Sequence, residues 1–244
     1  MLKKVHNIRE IVANLPLLKP LYLTCLKLIP IHKRYYLNRM FRTPFSKLEN
    51  DKKIIFIHIP KAAGNALIKT LFDQSATGHD PILRYKENNS VKYNDFYKFT
   101  VVRNPWDRIV SAFHYLKQGG IGFFDKDFSN EYLDDVPDFS TFVKRLESDN
   151  VFRNNILTWI HFVPQIDFLS DEYGDVALNK IIKLENINDE IPSLCKDLGI
   201  SNRDMISDNS CKRKPYQYYY DDELAAIVGT IYKQDIERLG YAFE

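Results

Sequence analysis

Cysteine is scarce: Cys25, Cys195 and Cys211 are the only three in 244 residues. An odd count this low builds neither a disulfide framework nor a metal-ligand pattern, and it suits a reducing compartment. Long apolar runs are missing as well. Residues 11–31 are rich in Leu and Ile, but Lys19 and Lys27 charge the stretch and Pro16, Pro20 and Pro30 interrupt it. A spanning helix needs about 20 mostly uncharged apolar residues, so no transmembrane segment is expected. The interrupted run and the lack of a small-residue cleavage site after it argue against a secretory signal. No internal repeat or low-complexity tract is present. The body of the chain also lacks a basic excess. Net charge is +2, yet residues 1–50 hold ten of the 34 Lys/Arg and only two of the 32 acids. The remainder therefore carries 24 basic and 30 acidic groups. A nucleic-acid-binding domain would place its basic patch on the folded body, so nucleic acid is not an expected partner.

What is present suits one sizeable α/β domain. Hydrophobic content of 45% and charged content of 27% are ordinary for a globular protein, and the length is too short for two large domains. The domain is expected over residues 51–244, with residues 1–50 as a basic, partly apolar extension. Two readings of that extension stay open: helical decoration on the domain, or a basic amphipathic segment on an anionic membrane surface.

Residues 52–72 read KKIIFIHIPKAAGNALIKTLF. The β-branched run over 52–59 predicts a buried strand, and Ala66, Leu67, Leu71 and Phe72 at helical spacing predict a helix over 65–72. The tight turn between them aims unpaired backbone N–H groups and the positive end of a helix dipole at one point, an anion site. Ala62, Ala63 and Gly64 keep the turn small, Asn65, Ala66 and Leu67 supply first-turn amides, and Lys61 adds a mobile positive charge. No Gly-Lys-Ser/Thr follows, so the pattern departs from that of a P-loop kinase or NTPase, the rival enzyme reading.

A second strand is expected over residues 96–104 (FYKFTVVRN), followed by a helix with Asn104 as N-cap and Pro105 at its first position. Arg103 then sits at the carboxyl end of a strand, with Ser111 about two helical turns beyond. Ligands collect outside the carboxyl ends of strands in open α/β sheets. Two such ends, one with a lysine and one with an arginine and a serine, suit a ligand carrying two separated phosphate-like groups.

These stretches carry a resemblance. HIPKAAGNAL (58–67) resembles the 5′-phosphosulfate loop of the carbohydrate-type sulfotransferases, and FTVVRNPWDRIVSAF (99–113) resembles their 3′-phosphate-binding segment. VPQIDFL (163–169), KLENI (183–187) and YYYDDELAAIVGTIYKQDIERLGYAF (218–243) extend it over roughly residues 51–244. It implies a P-loop-like three-layer α/β/α fold with a central parallel sheet. It also implies 3′-phosphoadenosine-5′-phosphosulfate (PAPS) as donor, 3′-phosphoadenosine 5′-phosphate (PAP) as product, no metal, and a glycan or glycolipid hydroxyl as acceptor. By the same resemblance the 64–67 amides and Lys61 hold the 5′-phosphosulfate, while Arg103 and Ser111 hold the 3′-phosphate. Lys212 and Arg213, in the basic segment before the terminal helix, close over the nucleotide. The Gly-His at positions 78–79 makes His79 the catalytic base, and histidine's near-neutral titration suits that task. Golgi relatives carry a signal anchor and disulfides. Without them the expectation is a bacterial-type cytoplasmic enzyme, placed at the inner membrane face if the extension binds lipid. An inactive nucleotide- or glycan-binding module of the same fold is the non-enzymatic alternative.

The rest of the chain yields smaller expectations. His58 is read as structural, since the nearby helix dipole disfavours its protonation, and His114 as a helix-surface or core-edge residue. Residues 73–94 read as irregular, and 119–136 as a mobile loop. Residues 139–146, 151–162 and 192–198 read as helices, 177–184 as a strand, and 222–239 as one terminal helix. Gln165 is either a site residue or an internal hydrogen-bonding group. Glu185 either orients a site residue or makes an ion pair, and Tyr218–Tyr220 are read as packing.

Overall fold

Ser46 and Glu49 form a reciprocal capping box at the start of a short helix, which satisfies two of the orphan donors at its N-terminus. In the computed structural model, which describes residues 29–39, 42–76, 78–205 and 213–244, this helix takes up Lys52, the first residue of the run expected as strand. In chain order the elements begin with α1 (Ile31–Arg39) and this capped helix, α2 (Lys47–Lys52). Lys53 ends α2 in the left-handed conformation, and β1 occupies Ile54–Ile57, all four residues buried. Then come α3 (Gly64–Phe72), α4 (Ile82–Asn88), α5 (Ser90–Asp95), β2 (Tyr97–Val102) and α6 (Pro105–Lys117). They are followed by α7 (Phe123–Tyr132), α8 (Phe139–Ser148), α9 (Asn150–Leu157) and α10 (Gln165–Leu169). The last are β3 (Lys180–Lys183), α11 (Ile187–Asp197), α12 (Asp222–Ile231) and α13 (Lys233–Leu239).

β1, β2 and β3 form a parallel sheet in that order, with Ile57 opposite Thr100 and Val102 opposite Lys183. Parallel pairing requires crossovers, supplied here by helices, and the fold is α/β with helices flanking the sheet. Because all three strands run the same way, their carboxyl ends share one edge. Phe56, Phe99, Val101 and Ile182 are buried on the sheet, and Ile109, Val110, Phe113 and Leu116 on α6.

Several expectations need correction. Residues 73–94 are not irregular: they hold α4 and α5, the latter capped by the Asn89 side chain accepting from the Lys92 N–H. Residues 119–136 are largely helical, since α7 starts after the positive-φ Gly122. The helix expected over 192–198 begins at Ile187, with Pro192 inside it. The single terminal helix over 222–239 is two, broken at Tyr232, whose buried hydroxyl donates to the Phe162 carbonyl at 2.8 Å. Periodicity runs through such a break, because both halves keep their apolar faces inward.

The chain divides into two compact units. The larger comprises Pro44–Tyr115 and Val136–Glu244 and contains the sheet. The smaller joins the described residues through Thr43 with Leu116–Asp135. In it, Arg34 lies 3.6 Å from Asp127 and 3.9 Å from Glu131, and the Ser129 hydroxyl donates to the Leu116 carbonyl at 2.7 Å. Among the described residues no helix is long and apolar enough to cross a membrane. Residues 1–28 of the basic extension, and the membrane-surface reading of them, lie outside the described residues.

Candidate active site

The turn from β1 into α3 is built from left-handed residues that are not glycine. Lys61 has φ 67° and Ala63 φ 59°. Ala63 is the N-cap of α3 and offers no side-chain acceptor. The amides of Gly64, Asn65 and Ala66 have no partner within the helix, so the helix dipole and those N–H groups are left for an anion. The Leu67 N–H, expected to join them, donates instead to the Ala63 carbonyl at 3.1 Å and so closes the first helical bond. Ala62, Ala66 and Leu67 bury their side chains, and only Asn65 points one outward. Gly64 is required by a neighbour: a Cβ there would come 2.4 Å from Cδ2 of His58. The His58 ring is buried and stacks on Phe56 at 5.6 Å. That packing agrees with a structural His58.

Arg103 follows β2 and reaches across the shared sheet edge. Its Nη1 donates to the Lys61 carbonyl at 2.9 Å, and its Nε and Nη2 meet the Asp107 carboxylate at 2.8 and 2.6 Å. The lysine turn and the arginine end therefore lie side by side. Arg213 bonds the other Asp107 oxygen, so one carboxylate is gripped by two of the predicted cations. Lys212 lies outside the described residues. Burial pulls the Arg103 guanidinium down from its ordinary pKa, and the Asp107 charge opposes the shift. Asn104 caps α6 as expected, its side-chain oxygen accepting from the Trp106 N–H at 3.0 Å. Ser111 is half-buried one turn beyond Asp107 on α6.

His79 stands beside the same turn. Its Nδ1 lies 2.7 Å from the His58 carbonyl oxygen. A carbonyl can only accept, so Nδ1 carries a proton, and in the neutral ring Nε2 is then the nitrogen with the lone pair. The His79 ring is 4.2 Å from the His58 ring and 6.3 Å from that of His161. His161 in turn meets Tyr115 at 4.9 Å, and the Lys61 ammonium rests over the Tyr115 ring at 3.8 Å. Lys61 and His79 thus bracket one aromatic patch. His114 faces away from it, toward Tyr219 at 4.9 Å.

Gln165 takes the internal role. Its side chain accepts from the Arg103 N–H at 2.9 Å and donates to the Arg103 carbonyl at 2.7 Å, as a neighbouring strand would. Buried Asp235 caps the start of α10, accepting from the Gln165 and Ile166 amides at 2.8 and 2.9 Å. Glu185 accepts from the Asn104 N–H at 2.6 Å, in the peptide that follows Arg103, and from the Tyr241 hydroxyl at 3.2 Å, rather than making the alternative ion pair.

Sequence reasoning missed Asp107, Arg108 and Tyr115. Arg108 is 1% exposed and lies on the same stripe of α6 as Ile109, Ala112 and Leu116. A charge inside an apolar stripe was the available signal. Tyr115 had none.

A family model described as Sulfotransferase family matches residues 46–242. The chain belongs to this family, whose members are transferases that move sulfuryl groups. No curated protein and no solved structure matches the chain.

Proposed function

We propose that this chain transfers the sulfuryl group of PAPS to a hydroxyl of a carbohydrate or glycolipid. The observation that supports the reading best is the 2.9 Å bond from Arg103 to the Lys61 carbonyl, which sets the lysine turn beside the arginine strand end. The fit to such a donor rests on an uncapped helix start, two positive-φ loop residues and a half-buried arginine beside them. The donor supplies an activated sulfuryl group on a phosphate leaving group.

The amides of Gly64, Asn65 and Ala66 hold the 5′-phosphosulfate, and Lys61 leaves Tyr115 to neutralise charge on the bridging oxygen. Arg103 and Ser111, with Arg213 and Lys212 from the basic segment, hold the 3′-phosphate and select this donor over ATP. His79 Nε2 takes the acceptor proton as the alcohol oxygen bonds to sulfur and the S–O bond to the 5′-phosphate breaks. The products are a sulfate ester and PAP. As in phosphoryl transfer, the protein contributes mainly in-line positioning and charge stabilisation.

Incubating the protein with radiolabelled PAPS and a panel of glycans and glycolipids tests this. The expected result is label in an acceptor, identified by mass spectrometry, without added magnesium. Magnesium-dependent ATP turnover with no sulfuryl transfer would overturn the proposal in favour of a nucleotide kinase or hydrolase.

A further inference from the structure

Two consecutive carbonyls of the turn after β1 are each held by a guanidinium. Arg108 Nε donates to the Pro60 carbonyl at 3.1 Å, and Arg103 Nη1 to that of Lys61 at 2.9 Å. Arg108 also uses Nη2 on the Val163 carbonyl at 2.8 Å, two residues before the start of α10. It is 1% exposed. Its position brings a full charge into the interior for the sake of backbone oxygens, an arrangement that costs desolvation and asks for a reason.

Peptide geometry supplies one. In a planar trans peptide the carbonyl and the following N–H point to opposite sides, and the described residues contain no cis bond. Holding the Pro60 and Lys61 carbonyls toward the arginines turns the N–H groups of Lys61 and Ala62 the other way. Positive φ at Lys61 and Ala63, with none at Ala62 between them, is the alternation by which successive N–H groups converge on an anion. The first-turn amides of α3 continue the same row.

We propose that Arg108 is a positioning residue, which orients the peptide planes of the turn so that its amides accept an anion while Arg108 itself touches none. This rests on the turn being the 5′-phosphosulfate site. Arg108→Lys separates geometry from charge, because an ammonium keeps the charge but lacks the rigid fork that spans two carbonyls. By calorimetry, Arg108→Lys is expected to weaken both adenosine 3′,5′-bisphosphate and inorganic pyrophosphate about tenfold. The preference for the bisphosphate over adenosine 5′-phosphate should not change, since the 3′ side depends on Arg103.

Asp235→Asn is the structural control. It removes the buried carboxylate near Arg108 without touching a loop carbonyl, so it should lower Tm and leave the pyrophosphate affinity alone. The bisphosphate is excluded from this control because Asp235 also holds Gln165 against the Arg103 peptide. If Arg108→Lys does not fold, amide NMR of the wild type decides. Titration with pyrophosphate should shift the Lys61 and Ala62 amides as strongly as those of Gly64–Ala66. Wild-type affinity in Arg108→Lys, an equal loss of pyrophosphate affinity in Asp235→Asn, or unmoved Lys61 and Ala62 amides would each overturn the proposal. Wild-type protein that binds pyrophosphate but not the bisphosphate sinks the donor reading alone, and one that binds neither sinks both.

Discussion

His79 donates its Nδ1 proton to the backbone of His58 at 2.7 Å, which leaves Nε2 as the ring nitrogen that accepts in the neutral imidazole. An imidazole held in that tautomer is ready to accept a proton without first losing one. We expect His79→Gln to lower kcat by about two to four orders of magnitude while leaving the calorimetric Kd for PAP within about twofold. Unchanged kcat would remove His79 as base. Lys61→Ala should cost about 100- to 1,000-fold in kcat, the range found when one donor to developing charge is removed. The Lys61 ammonium already lies within the aromatic patch shared with His161. The place of Lys61 was legible for a physical reason, since a strand end fixes where its next residues go, whereas His79, far from any strand end, came only from the family resemblance. Arg108 was not legible, because its role lies in carbonyls 48 and 55 residues away in the chain. Gln165 was half legible. Its amide could satisfy a ligand or a backbone, and only the coordinates show the Arg103 peptide in front of it.

The β1–α3 turn is the element where strain and packing meet. Ala63 holds a left-handed conformation that a Cβ makes unfavourable. Ala63→Gly should therefore stabilise the fold by about 0.5–1 kcal/mol after the added unfolded-state entropy is counted, measured by urea denaturation. Gly64→Ala should act the other way. Its Cβ would meet the buried His58 ring at 2.4 Å, and overpacking of this kind costs about 1–3 kcal/mol. An unaffected Gly64→Ala midpoint would mean that His58 has room to move. Element types at the sheet were readable from short apolar runs and turn residues, but boundaries were not. The strand expected over 52–59 shrank to Ile54–Ile57 because the Ser46–Glu49 capping box draws the chain up to Lys52 into helix. The terminal helix pattern likewise concealed the break at Tyr232, where a buried tyrosine reaches the Phe162 carbonyl instead of extending the helix.

At the scale of the whole molecule, two linkages follow. Burial, helped by the Arg213 charge, lowers the His114 pKa from 6.5, and its Nε2 has no hydrogen-bond partner among the described residues. A base with a depressed folded pKa resists protonation in the native state. Its contribution is therefore fully present above its unfolded value and lost as pH falls through the folded one. His114→Phe should flatten the drop in Tm between about pH 7 and pH 5, and an unchanged slope would assign that drop to other groups. Ligand linkage is the second. At 100 times its Kd, PAP should stabilise the protein by about 2.7 kcal/mol, which for a chain of this size raises Tm by about 5–10 °C.

Such a gain depends on one arrangement: two neighbouring strand ends serving opposite phosphates of a single nucleotide. Calorimetry comparing adenosine 3′,5′-bisphosphate with adenosine 5′-phosphate, on wild type and on Arg103→Lys, measures this directly. The account predicts that the wild type binds the bisphosphate about ten- to a hundredfold more tightly than the monophosphate. It also predicts that Arg103→Lys loses most of that preference, with its monophosphate affinity falling by no more than the roughly tenfold expected from releasing the Lys61 carbonyl. Equal binding of the two nucleotides by well-folded wild type, or no binding of either, would contradict it.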